Sequence, residues 1–173
     1  MILNCKYLSI RILPIIALLA GSMLSGCGGG GSSAPASVQV RKFPAMEVPG
    51  MITDPAELSV YAAEHFWDRF LDTSFTGRCD SALVSGVTRQ EVENSFGTYS
   101  AILWQTDVRT AISSVAKLFS RAEAIELRDT SSNVFETITF LAHKYFYDPN
   151  SPVRNEEFYL PFVEGLAHSP AVK

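Results

Sequence analysis

From Asp54 onward the apolar residues of this chain recur three and four places apart, a period that turns one face of a helix toward a core. Leu58, Tyr61, Ala62, Phe66 and Phe70 form the first such row. It opens on Asp54-Pro55-Ala56-Glu57: an acid at the N-cap, a proline at the first helical position and a carboxylate in the first turn. Thr88-Arg89-Gln90-Glu91 has the spacing of a capping box, in which hydroxyl and carboxylate each satisfy one free amide of a helix start. Val92, Phe96, Tyr99 and Leu103 come after it. Asp107 can cap a third row of Val108, Ala111, Ile112, Val115, Leu118, Ala122 and Ile125. Asn133 with Glu136 can open a fourth, carrying Ile138, Leu141, Ala142 and Tyr145. Asn155-Glu156-Glu157 opens a fifth running to about Ala167, with Pro161 expected to kink it or shift its start. No stretch alternates apolar and polar residues for long, so no strand is expected. The connections are short, which suits antiparallel neighbours. The sequence therefore predicts an all-α fold, a bundle of about five short helices.

The segment before the helices is of another kind. Lys6 and Arg11 precede a short apolar run, Ile12 to Ala20, interrupted by Pro14. That run falls well short of the roughly 18 residues a spanning helix needs, but it suits the apolar stretch of a secretory signal. It ends on Leu24-Ser25-Gly26-Cys27, which resembles the lipobox of bacterial lipoproteins. By that resemblance the Cys27 thiol accepts a diacylglyceryl group and residues 1–26 are removed. Four glycines and a Ser/Ala/Pro stretch come next, a flexible linker with nothing to bury. Phe43-Pro44 through Pro49-Gly50 reads as an extended lead-in, because a residue before proline is pushed out of the helical region. The expected organisation is a signal over 1–26, a tether over 27–42 and a helical domain over 43–173.

Charge and cysteine use narrow the function classes. Charged residues make up only 18 % of the 173, and Lys+Arg number 14 against 18 Asp+Glu. Loss of residues 1–26 would remove two positive charges and no negative one, taking the formal net charge from −4 to −6. A basic nucleic-acid-binding domain is excluded on that balance, and no nucleic acid is expected as a partner. Of the three cysteines, Cys5 leaves with the signal and Cys27 becomes a thioether, so Cys79 alone remains and no internal disulfide can form.

Candidate chemistry is sparse. His65, His143 and His168 fall on different predicted elements, none at metal-ligand spacing with Cys, Asp or Glu. No phosphate-cradling glycine loop or hydrolase elbow is legible, so no cofactor or metal is expected. Cys79 in Thr76-Gly77-Arg78-Cys79-Asp80 reads as a small loop residue, or as a thiol whose pKa Arg78 lowers. Glu64 with Asp68, and Glu91 with Glu93, read as solvated faces or as acid–base pairs. The densest patch is Tyr145 through Tyr159. Asp148-Pro149 ends a helix there, Asn150 and Ser151 can bond neighbouring amides, and Asn155 can cap the fifth helix. Arg154 lies among Asp148, Glu156 and Glu157 with tyrosines on both sides. The patch is either a hydrogen-bonded corner between helices or an aromatic-and-arginine binding surface.

This corner, with Phe66-Trp67-Asp68 and Phe43-Pro44, resembles an uncharacterised helical domain of lipoproteins from Gram-negative anaerobes, over roughly residues 43–170. The resemblance marks Trp67, Asp68, Tyr147, Asn150, Ser151, Arg154, Asn155 and Tyr159, without a chemical role for any of them. In that family the domain precedes a thioredoxin-like domain with its Cys-x-x-Cys pair, whereas this chain stops at Lys173. The expectation is a non-catalytic, lipid-anchored module on the periplasmic face of the envelope, held to the membrane through Cys27. It would serve an envelope protein partner and be accessory to thiol–disulfide proteins. The alternative is a truncated N-terminal part of a thioredoxin-like oxidoreductase.

Overall fold

Each helix begins where a side chain takes over its first free amides. The computed structural model describes residues 40–72 and 82–172. In helix α1 (Pro55–His65) the Asp54 carboxylate accepts from Ala56 N at 3.1 Å. Thr88 Oγ1 accepts from Glu91 N at 3.2 Å to start α3 (Arg89–Leu103). Asp107 accepts from Thr110 N at 3.0 Å to start α4 (Val108–Arg128). Asn155 Oδ1 accepts from Glu157 N at 3.0 Å and Phe158 N at 3.3 Å to start α6 (Glu156–His168). Five helices of nine or more residues thus carry the described part of the chain, as the apolar periods imply.

Two expected caps are diverted by long-range bonds. The Glu91 carboxylate does not close the capping box but accepts from Phe43 N at 2.8 Å, fastening the lead-in to α3. Asn133 precedes α5 (Val134–Ala142), yet its side-chain amide donates to Leu83 O at 2.7 Å, and Ser132 Oγ accepts from Val134 N instead.

Other departures are local. The first apolar row breaks after α1: Phe66 and Trp67 form a turn, and a four-residue helix α2 (Asp68–Leu71) succeeds it. Trp67 has φ −93° and ψ −7°, a sparsely populated conformation held by packing of its ring. A short antiparallel hairpin, β1 (Leu83–Val84) with β2 (Val87–Thr88), was not expected. Its two-residue turn has positive φ at both Ser85 (50°) and Gly86 (79°), which matches the twist of paired strands. Serine is strained there, and Arg41 compensates, donating from Nε to Ser85 O at 2.7 Å and from its backbone N to Gly86 O at 2.8 Å. Helix α5 widens at its end into a π-turn (His143–Tyr147). Pro161 neither moves the start of α6 nor ends it, and its ring is buried.

Helix α4, the longest, lies at the centre and packs against α1, α5 and α6. Tyr99 on α3 is fully buried and shares a 2.7 Å hydrogen bond with Ser114 of α4, whose hydroxyl donates to Ala63 O of α1 at 2.5 Å. Burial pushes the Tyr99 phenol far up, so it stays a neutral donor. Phe119 packs edge-on to Phe135 of α5 and Phe162 of α6, with ring centroids 5.6 and 5.4 Å away. Gly165 leaves the space that this ring fills. A Cβ at 165 would fall 2.6 Å from Phe119 Cζ and 2.7 Å from Cδ1. Gly165→Ala should therefore destabilise the protein by about 1–3 kcal/mol, despite the better helix propensity of alanine. Chemical denaturation at constant m-value checks this.

Candidate functional site

The residues singled out in the sequence divide into two groups on different elements. Trp67 and Asp68, adjacent in the chain, differ in exposure: the first is buried and the second reaches the surface. Trp67 is buried against five aromatic rings, those of Phe43, Phe66, Phe70, Phe96 and Tyr99. Its indole N–H has no hydrogen-bond partner among the described residues, so the ring serves by its apolar body.

Asp68 reaches the surface and gathers three basic side chains. His65 Nδ1 lies 2.7 Å from Oδ2 and Lys117 Nζ 3.3 Å from Oδ1, while the Arg121 guanidinium bonds Oδ1 and, at 3.2 Å, the backbone carbonyl. Lys117 also donates to Glu64 O at 2.6 Å, satisfying a carbonyl at the end of α1. Burial pushes the Asp68 carboxyl up, but the His65 and Lys117 hydrogen bonds and the charges of Lys117 and Arg121 outweigh it and hold the group below the usual range. A carboxylate so held is a poor proton acceptor at neutral pH, and the arrangement is a clamp between the α1–α2 turn and α4. Beside it is a recess lined by Trp67, Asp68, Ser114, Lys117 and Arg121, with room for about one water molecule. Glu64 does not pair with Asp68. Glu91 is engaged by Phe43 N, and Glu93 by Lys144 at 2.6 Å.

The second group is the corner between α5 and α6. The π-turn closes on Asp148 N, which donates to His143 O at 3.0 Å. The next carbonyls are then captured in order: Ser151 Oγ donates to Tyr145 O at 2.5 Å, and Asn155 N to Phe146 O at 3.0 Å. Asp148 Oδ1 accepts from Asn150 N at 2.8 Å, a local turn of the kind these residues favour. Arg154 pairs with Glu156 and not with Asp148 or Glu157 as well. The Ser151 and Asn155 side chains are thus committed to the backbone and the Asn150 side-chain amide donates to the Asp148 carboxylate at 3.2 Å, and the hydrogen-bonded corner is the arrangement found.

On the outside of the corner the surface is aromatic. Tyr147 and Tyr159 stack at 5.1 Å, and His143 lies 5.2 Å from Tyr147 and 5.9 Å from Tyr159, ring centre to ring centre. Burial, and then Tyr147, push the Tyr159 phenol up, so it is protonated at neutral pH. Sequence reasoning placed His143 after the fourth helix's apolar face but missed its partnership with the two tyrosines. The i, i+4 spacing of His143 and Tyr147 was the available signal.

Cys27, Arg78 and Cys79 lie outside the described residues. His168 is exposed at the end of α6, its Nδ1 2.9 Å from Glu164 O. Among the described residues no cluster of His, Cys, Asp or Glu could hold a metal ion, and no helix is long and apolar enough to cross a membrane.

Residues 28–173 match a family described as a domain of unknown function, DUF5106. The chain belongs to the DUF5106 family. A solved structure, described as a thioredoxin-like protein from Bacteroides caccae, is similar to this DUF5106 chain at 30 % identity with a TM-score of 0.62. The likeness covers 78 % of this chain and 43 % of that one, so the DUF5106 chain spans less than half the length of its neighbour. No curated protein matches it.

Each group can be probed by one substitution. Asn155→Ala removes both side-chain bonds to the start of α6 and should cost about 0.5–2 kcal/mol, read as a lowered denaturation midpoint. Asp68→Asn should lower the thermal midpoint at pH 7. Because the folded-state carboxyl is held below its unfolded value of about 3.9, its contribution is full above that pH and fades as pH falls through the folded value. Midpoints of wild type and variant, measured from pH 7 to pH 2, should converge below about pH 4.

Proposed function

We propose that this DUF5106 chain is a non-catalytic, lipid-anchored module on the periplasmic face of the cell envelope, accessory to a thioredoxin-like thiol–disulfide protein. The likeness to the Bacteroides caccae protein carries the reading: a domain of this sequence and shape is built into a longer chain described as thioredoxin-like. The side chains of the two candidate groups support a module without a reaction of its own. Asp68 is engaged by His65, Lys117 and Arg121, and the Ser151 and Asn155 side chains of the corner are bonded to backbone.

The anchor rests on Leu24-Ser25-Gly26-Cys27. One acyl chain binds a membrane reversibly, and stable attachment takes two or more, which a diacylglyceryl thioether supplies. A Gly/Ser-rich sequence such as that between Cys27 and the lead-in would span about 20–25 Å as a coil. Arg41 and Phe43, bonded to Gly86 O and the Glu91 carboxylate, fix where the tether meets the folded body. The module therefore works close to one leaflet.

A second reading takes its support from the greater length of the neighbour. In it the chain is the N-terminal part of a longer oxidoreductase, and a Cys-x-x-Cys-encoding continuation in the DNA downstream would establish it.

Mass spectrometry of protein purified from its own membranes tests the anchor. The mature N-terminal peptide should begin at Cys27 and carry the diacylglyceryl thioether. Cys27→Ser should yield a chain without lipid and with residues 1–26 still attached. A bare thiol at Cys27 in the native protein overturns the anchored reading. Co-purification from detergent-solubilised membranes should recover a Cys-x-x-Cys protein, and recovery of no specific partner overturns the accessory role.

A further inference from the structure

Phe43 of the lead-in fills a cleft made of other rings. Its centre lies 5.7 Å from that of Phe66, 5.4 Å from Trp67 and 5.1 Å from Phe70, edge-on to the indole and stacked on Phe70. The Glu91 carboxylate accepts from the Phe43 amide at 2.8 Å. Arg69 of α2 donates to the carbonyl of Ala45 at 3.2 Å and to the carboxylate of Glu47 at 2.6 Å, and Tyr61 donates to Glu47 O at 3.1 Å. One side chain in a pocket, with main-chain groups bonded before and after it, is how a protein holds an extended peptide.

The hold on this segment is light compared with that on the helices. Residues 40–49 form no helix or strand, and Pro44 and Pro49 have no amide to donate. Among the described residues, Arg41, Phe43 and Ile52 alone of residues 40–52 donate an amide hydrogen bond. The bonds to Arg69 and Tyr61 are exposed to solvent, where an ion pair adds little. Val40, Val48 and Met51 are 62 %, 42 % and 87 % exposed, whereas Trp67 and Phe70 beneath Phe43 are 4 % and 1 % exposed. A segment with few bonded amides, lying over a closely packed body, opens at lower cost than the body unfolds.

We propose that the lead-in is a releasable strap. Residues 40–52 leave as a unit while the helices stay folded, and their leaving opens the Phe66–Trp67–Phe70 cleft to an extended peptide bearing an aromatic residue. The occupant in place defines what the cleft takes: a ring for the pocket, the amide of the same residue for Glu91, and a carboxylate four residues further on for Arg69. The strap depends neither on lipidation of Cys27 nor on a thiol–disulfide partner, so it can fail while the proposed function stands.

Hydrogen exchange of the full chain, followed by mass spectrometry under native conditions, tests the opening. Residues 40–52, the bonded Phe43 amide included, should exchange well before the amides of α3 and α4. Glu91→Gln, which leaves the ring in place, should speed exchange at Phe43 and leave α4 unchanged. Phe43→Ala in the full chain should free the strap and keep the far-UV circular dichroism of the helices. That variant should bind a synthetic peptide of the sequence of residues 40–52, read by calorimetry, and the wild type, its cleft filled, should not. A peptide with alanine in place of phenylalanine should bind at least about tenfold more weakly. Exchange of Phe43 together with α3 and α4, unfolding of the Phe43→Ala chain, failure of that chain to bind the peptide, or equal binding by the wild type each overturns the strap.

Discussion

Trp67 is the side chain on which the arrangement depends. Its ring meets Phe43 of the lead-in, Phe66 and Phe70 on either side of the α1–α2 turn, and Phe96 and Tyr99 of α3. Phe96 passes the contact on to Tyr145 and Phe146 in the π-turn, and Phe146 to Phe158 of α6. A continuous file of rings therefore runs from the first described residues to the last helix. Each such pair adds about 0.5–1.5 kcal/mol beyond the area it buries, and only at a restricted set of angles. Aliphatic contacts would fill the same volume with less demand on orientation. The file makes the turn at Trp67 and the π-turn at His143 parts of one packing solution.

The same file explains why the lead-in belongs to the folded unit. Phe43 stacks on Phe70 at 5.1 Å while its amide is taken by Glu91, and Arg41 braces the strained Ser85 turn. Removing the lead-in would leave Glu91 facing no amide, Trp67 missing one neighbour and the hairpin without its brace.

The helices were legible because capping is local: Asp54, Thr88, Asp107 and Asn155 each bond an amide two or three residues away. The features that escaped the sequence are those that distant residues decide. Glu91 lies three residues from Thr88 as a capping box requires, but an amide 48 residues away claims its carboxylate. Asn133 is diverted by a carbonyl 50 residues away. The hairpin could have been found, since Ser85-Gly86 between Leu83-Val84 and Val87-Thr88 is a turn signal flanked by β-branched residues, but two-residue strands carry too little alternation to register. The π-turn has no signature of its own. It exists because Phe146 fits between Phe96 and Phe158 while its carbonyl meets Asn155 N. Of the candidate residues, the sequence brought out the corner and its turn chemistry, while Trp67 and Asp68, marked with it by resemblance, lie on the α1–α2 turn.

That separation bears on where recognition can reside. A polar residue that attracts attention in a sequence is available to a ligand only if the fold leaves its donors and acceptors free. Here Ser151 and Asn155 are used in closing the corner, Asn150 is bonded to Asp148, Arg154 is paired at its edge, and Asp68 is shared among His65, Lys117 and Arg121. The corner chemistry instead produces an effect at one remove. By capturing the carbonyls of Tyr145 and Phe146 it holds the helix in its wide turn, and the wide turn keeps His143 and Tyr147 outside against Tyr159. The polar residues fix the shape, and the rings of His143, Tyr147 and Tyr159 make the surface.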